Sequence, residues 1–145
     1  MTQNATEKRV LSAIGQRREL INDSIDTELP LQDPERLYEA SRYILQAGGK
    51  RLRPTAALLV GEALADVDFG AVDYRSFPTL TGDEIDLMAA SVSIEIIQSF
   101  TLIHDDIMDD DDLRRGVQSV HNQYDTETAI LAGDTLYSKA FEIMA

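Results

Sequence analysis

With 145 residues, 43% of them apolar, the chain is the size of one packed domain and too apolar for general disorder. It has no cysteine, which excludes a disulfide framework and a thiolate metal site. A net charge of −13, from 26 acidic and 13 basic residues, argues against nucleic acid or an anionic lipid surface as a partner.

The pattern is helical almost throughout. The opening MTQNATEKRV has charges but no apolar run behind them, so no secretory signal is visible. From Glu7 to about Glu28, Val10, Leu11, Ile14, Leu20, Ile21 and Ile25 share roughly one helix face, and Pro30 ends the helix. Asp33-Pro34 reads as an N-cap followed by proline at the first helical position. Leu37, Tyr38, Ser41, Ile44 and Leu45 follow at helical spacing until Gly48-Gly49. Pro54 opens a third helix to about Ala65, and 66–82 is the longest loop. Thr81-Gly82-Asp83-Glu84 fits a capping box and predicts a helix from there to about Asp109. Its apolar stripe is Ile85, Met88, Val92, Ile96, Phe100, Ile103 and Ile107. A last helix is expected from Thr128 to Ala145. No strand-like alternation is sustained, so the fold class is all-α. No segment approaches eighteen uninterrupted apolar residues, which excludes a membrane span and makes a cytoplasmic protein the expectation.

The chemistry concentrates in two stretches. Six of the eight residues 105–112 are aspartate, and Arg114 and Arg115 follow. At about 100° per residue, Gln98, Thr101, Asp105 and Asp109 fall on one face of the long helix, with Asp106 beside them. Asp105 and Asp109 are one turn apart and can reach one hard cation or two neighbouring ones. The ordinary alternative is a solvated acidic face. Against it stand the apolar sequence just before the run and the unfavourable macrodipole at a helix C-terminus. Charges this close need neutralising by protons, cations or arginine. The spacing is not that of an EF-hand, and magnesium with few protein ligands and a phosphate-bearing substrate fits better.

The second stretch is Gly48-Gly49-Lys50-Arg51-Leu52-Arg53-Pro54. Two glycines permit close backbone approach, three cations follow, and a helix begins: the makings of an anion site. A basic surface turn is the alternative.

GGKRLRP and DDIMDDDDLRRG together resemble, in motif, order and separation, the two N-terminal signatures of the trans-type isoprenyl diphosphate synthases, most like archaeal geranylgeranyl diphosphate synthases. The resemblance covers about Asp33 to Ala145. It implies an antiparallel helical bundle of the isoprenoid synthase type around a deep cavity, usually in a homodimer. It also implies the following roles. Asp105, Asp106 and Asp109 bind magnesium that grips the allylic diphosphate, and Arg114 contacts that diphosphate. Lys50, Arg53 and Arg115 hold isopentenyl diphosphate, with Gly49 supplying backbone and Gln98 facing the same group. Asp112 stands behind the metal ligands, and Asp110 and Asp111 are mainly solvated. Phe100, five residues before Asp105, and its neighbour Thr101 bear on chain length, although core packing on the apolar stripe explains Phe100 equally well. His104 and His121 are read as structural, and Tyr137 and Lys139 as ordinary packing or surface residues.

The implied function is condensation of isopentenyl diphosphate with an allylic diphosphate, giving geranylgeranyl diphosphate. The alternatives are a longer- or shorter-chain polyprenyl synthase, a non-catalytic helical partner subunit, or a simple acidic cation-binding bundle. The family carries a second aspartate-rich motif that residues 1–145 lack. They are therefore expected to be the N-terminal portion of one synthase domain, inactive alone. Ten arginines against three lysines in an acidic chain suit a cytoplasm rich in salt.

Overall fold

The computed structural model describes residues 2–145; Met1, the start of the MTQNATEKRV stretch, lies outside them. The chain divides into two compact units, residues 1–26 with 50–92 and residues 27–49 with 93–145. Six helices carry both: α1 (Thr2–Glu28), α2 (Glu35–Gln46), α3 (Leu52–Ala65), α4 (Leu87–Asp109), α5 (Val120–Gln123) and α6 (Thr126–Met144). The strands are two-residue hairpin arms: β1 (Phe77–Pro78) with β2 (Glu84–Ile85), and β3 (Leu113–Arg114) with β4 (Val117–Gln118). The all-α expectation holds.

In the first unit, α1 and α3 run antiparallel. Arg17 on α1 meets Glu62 on α3, and Asn22 accepts from Arg51 just ahead of α3. Arg17, Ile21, Ser24 and Ile25 bury one stripe of α1 at helical spacing. The predicted apolar face is only partly used. Ile21 and Ile25 are buried, whereas Val10 and Leu11 are 52% and 61% exposed in the early turns. α1 also begins earlier than expected, at Thr2, and α3 begins two residues before Pro54. Proline is tolerated in a first turn because its missing N–H would have had no helical acceptor.

The expected capping box is not formed. Glu84 and Ile85 pair with Pro78 and Phe77 in a hairpin, and Thr81 bonds to Thr79 and Asp83 within its loop. Asp86 takes the capping role: its Oδ1 accepts from Ala89 N at 2.7 Å, so α4 starts at Leu87. Either segment supplies an acid ahead of an apolar run, so the local pattern alone does not choose between them.

In the second unit, α4 and α6 run antiparallel, with Ser93 donating to the Ala140 carbonyl and His104 beside Ile130 and Gly133. A Cβ at Gly133 would collide with the His104 ring, so the glycine lets the two helices approach. His104 is thus a packing residue. α2 runs in the same direction as α6, linked by Arg36 to Asp125 and Ser41 to the Ala132 carbonyl. Pro34 is the N-cap residue of α2 rather than its first helical residue. Asp125 caps α6, which begins at Thr126, two residues before the expected start. The bond from Thr128 N is the main cause that lowers the Asp125 carboxyl to about 2.

The buried line of α4 is Met88, Val92, Ile96, Ser99, Ile103 and Asp106. It drifts from the predicted stripe, so Phe100 and Ile107 are half-buried and Ile85 lies exposed outside the helix. α4 is long and apolar enough, at a mean hydropathy of 1.4, to meet the length and composition test for a membrane span. The sequence-based exclusion therefore fails for this helix. Half of that stretch is buried, as in the core helix of a globular fold, which passes the same test.

Candidate active site

α4 brings the predicted carboxylates together at its C-terminal end. Asp110 stops the helix. Its backbone is left-handed, at φ 56°, with Asp110 N on Ile107 O (3.4 Å) and Asp111 N on Asp106 O (2.9 Å). That is a Schellman closure with aspartate in the glycine position, where a short polar side chain tolerates the left-handed region. Asp105 and Asp109 are exposed on the predicted face, and their carboxylates form no hydrogen bond or ion pair among the described residues. Gln98 and Thr101 continue that face half-buried, Thr101 Oγ1 donating to the Gln98 carbonyl at 2.8 Å.

Asp106 differs. It is 0% exposed, on the inward line of α4. Arg114 Nε donates to its Oδ1 at 2.9 Å, and Arg114 Nη2 donates to the same oxygen. Among the described residues Oδ2 is buried without a partner. The hydrogen bond to Asp106 is the main cause that raises the Arg114 guanidinium above its ordinary value; the charges of Asp106, Asp111 and Asp105 add to it. Arg114 also lies 3.7 Å from Asp111, so Asp111 is less purely solvated than expected. Asp112 builds the following turn: its carbonyl accepts from Ser119 N (2.9 Å) and its Oδ1 from Asn122 (3.0 Å).

The two arginines point apart because one ends a hairpin strand and the next begins its two-residue turn. Arg115 and Gly116 both have positive φ, 55° and 81°, the pattern of a type I′ turn. Arg114 remains on strand β3. Arg115 sits in the turn, where its Nη1 donates to the carbonyls of Ile44 (2.9 Å) and Gly48. Its Nη2 lies 3.7 Å from buried Glu95. Glu95 is the residue that sequence reasoning missed. A carboxylate at an inward position of an apolar helix was the available signal.

The turn after α2 uses its glycines: Gly48 has φ 95° and Gly49 φ 152°, both unfavourable for other residues. The three cations after it separate by exposure. Arg51 is buried with its Nε on Asn22 at 2.9 Å, whereas Lys50 and Arg53 are exposed. The two assigned to a diphosphate are thus the two that face outward. Gly49 belongs to the second unit, Lys50 and Arg53 to the first.

Phe100 lies in an aromatic row of the second unit: His104 at 4.7 Å, then Tyr137 at 5.2 Å, with Phe141 4.9 Å from Tyr137. His121 has a buried Nδ1 without a partner among the described residues. Among the described residues no three His, Asp or Glu side chains converge into a ready metal cage. The donors are all carboxylate oxygens, one of them orphaned. Such a set suits magnesium, which keeps several waters and takes one or two carboxylates plus substrate phosphates.

Residues 34–145 match the family model described as Polyprenyl synthetase. The chain is 70% identical over 135 residues to a geranylfarnesyl diphosphate synthase of Natronomonas pharaonis, covering 93% of this chain and 40% of that protein. It is 48% identical over 132 residues to a geranylgeranyl pyrophosphate synthase of Geoglobus acetivorans, covering 91% and 36%. A solved geranylgeranyl pyrophosphate synthetase from the same archaeon superposes with a TM-score of 0.76 over 90% of this chain and 37% of that one. The chain therefore spans about two fifths of the length of the curated relatives it matches.

Proposed function

The chain belongs to the polyprenyl synthetase family, and on that footing we propose that the protein condenses isopentenyl diphosphate with an allylic diphosphate to give geranylgeranyl diphosphate. The observation that carries the reading is the end of α4. Two exposed aspartates sit one turn apart, and buried Asp106 keeps an unpartnered oxygen beside Arg114. Asp105, Asp106 and Asp109 would hold magnesium. When bound, that ion supplies positive charge to the departing diphosphate. Arg114 exchanges part of its contact with Asp106 for the allylic diphosphate. Lys50, Arg53 and Arg115 bind isopentenyl diphosphate, with the Gly49 backbone and Gln98 at the same group. The allylic C–O bond breaks and its electron pair leaves with the diphosphate. The isopentenyl double bond then attacks the allylic carbon, a C–C bond forms, and a proton is lost. No protein nucleophile takes part; the residues place charge and exclude water. A second aspartate-rich motif outside these residues completes the site in this reading.

The test uses the full protein with isopentenyl diphosphate, farnesyl diphosphate and magnesium. Geranylgeranyl diphosphate is the expected product, and Asp105→Ala is expected to abolish turnover. Full activity in that variant refutes the metal assignment. A geranylfarnesyl product is the second reading, favoured by the 70% identity to a synthase of that name. Phe100→Ala addresses it. If Phe100, with Thr101, floors the cavity, products lengthen, whereas unchanged length leaves Phe100 to its aromatic row.

The proposal extends to a cytoplasmic homodimer in a salt-rich cell. Exposed Leu131, Tyr137, Phe141 and Met144 on α6 support association, and the acidic, lysine-poor composition supports the salt. Sedimentation across a KCl series tests both: a monomer, or stability indifferent to salt, counts against them.

A further inference from the structure

Arg115 is already engaged in a way that a diphosphate contact does not explain. Ile44 is in the last turn of α2, where carbonyls lack helical partners. Gly48 N turns to Leu45 O (3.3 Å) instead of continuing the ladder, and the Arg115 guanidinium donates to the Ile44 carbonyl in its place. A cation there also opposes the negative end of the helix macrodipole. The same guanidinium group donates to the Gly48 carbonyl. Its other end lies 3.7 Å from Oε1 of Glu95, which is only 3% exposed. A carboxylate buried to that degree needs a compensating charge, and Arg115 supplies one. The hairpin turn fixes where Arg115 starts, and Glu95 and the two carbonyls fix where it ends.

We infer that Glu95 is a positioning residue for the Gly48–Gly49 turn, acting through Arg115. Glu95 orients the guanidinium, and the guanidinium holds the carbonyls that set the path of the two glycines into Lys50. The inference rests on the reading of this turn as part of the isopentenyl diphosphate site.

The experiment compares the full chain with its Glu95→Gln and Glu95→Asp variants in two measurements. Hydrogen–deuterium exchange over residues 44–50 is expected to speed up in Glu95→Gln, with α1 and α3 unchanged and Glu95→Asp intermediate. In steady-state kinetics, KM for isopentenyl diphosphate is expected to rise about tenfold in Glu95→Gln, the worth of one charge-assisted contact, while KM for the allylic substrate and kcat move far less. Unchanged exchange at residues 44–50, or a rise spread evenly over the chain, overturns the positioning role. An equal rise in both KM values overturns it as well. If the unaltered protein shows no turnover that depends on isopentenyl diphosphate, the condensation reading fails instead, and the exchange result decides the positioning role alone.

Discussion

Arg17–Glu62 and Arg114–Asp106 are both arginine pairs to a buried carboxylate, one in each unit, and they differ in how completely they are closed. Arg17 donates through Nε to both Glu62 oxygens, at 3.0 and 3.2 Å, and through Nη2 to Oε2. Its Nη1 donates to the Ala13 carbonyl, Tyr74 donates to Oε1 at 2.6 Å, and Phe69 lies against the guanidinium. Each group in that cluster has a partner. Asp106 is as deeply buried, yet both bonds from Arg114 go to one oxygen and the other has none. Arg114 is also more exposed than Arg17. A buried oxygen without a partner costs about 1–3 kcal/mol. A closed pair serves stability. An open one is kept where another partner arrives, and the end of α4 is where the metal and diphosphate are proposed to bind.

The largest test of that contrast is Asp106→Asn. It preserves shape and removes the charge, so turnover should fall on the order of a thousandfold while thermal stability changes little. Near-normal turnover would make the open pair merely structural. Glu62→Gln is the opposite case. It should cost about 3–5 kcal/mol in denaturant unfolding, because an arginine charge is left buried, with the kinetic constants of the folded protein unchanged. A loss below about 1 kcal/mol would mean that the closed pair behaves like a surface ion pair.

The smallest effect is a pH dependence to which the closed cluster contributes. Burial, then the hydrogen bond to Glu62, pushes the Tyr74 hydroxyl from 10.0 up to about 12. A raised value means that the stabilisation is complete below about pH 10 and is lost as pH climbs through about 12. The unfolding midpoint should fall across that window, and Tyr74→Phe should shrink the step, leaving the part that half-buried Tyr124, also raised, contributes. Arg114 is raised above an ordinary value already beyond the window, so the open pair adds no step there. A step of the same size in Tyr74→Phe would assign it elsewhere.

Much of this was legible in the order of residues. The helices were, because apolar residues recur at three and four, and the ends at Pro30 and Gly48-Gly49 were read correctly. The end of α4 was found from its aspartates. The start of α4 was not, since Asp83, Glu84 and Asp86 all offer a cap and only the pairing of Phe77 with Ile85 excludes the first two. Asp106 was placed beside the exposed face. A rotation of 100° from Asp105 carries it onto the line of Ile103 and Ser99, and the packing of the unit makes that line the inside.

The sequence by itself determined the all-α class, the polar face of the long helix and the pairing of an aspartate run with a glycine–cation turn. Each depends on periodicity and local chemistry, which a linear string retains. Only the tertiary structure decided that Asp106 is buried on Arg114, that Arg51 turns inward while Lys50 and Arg53 face outward, and that Glu95, Arg115 and the end of α2 form one cluster. Those facts join residues 8 to 71 positions apart. Burial and charge compensation between such distant groups are settled when the helices pack, not by their neighbours in the chain.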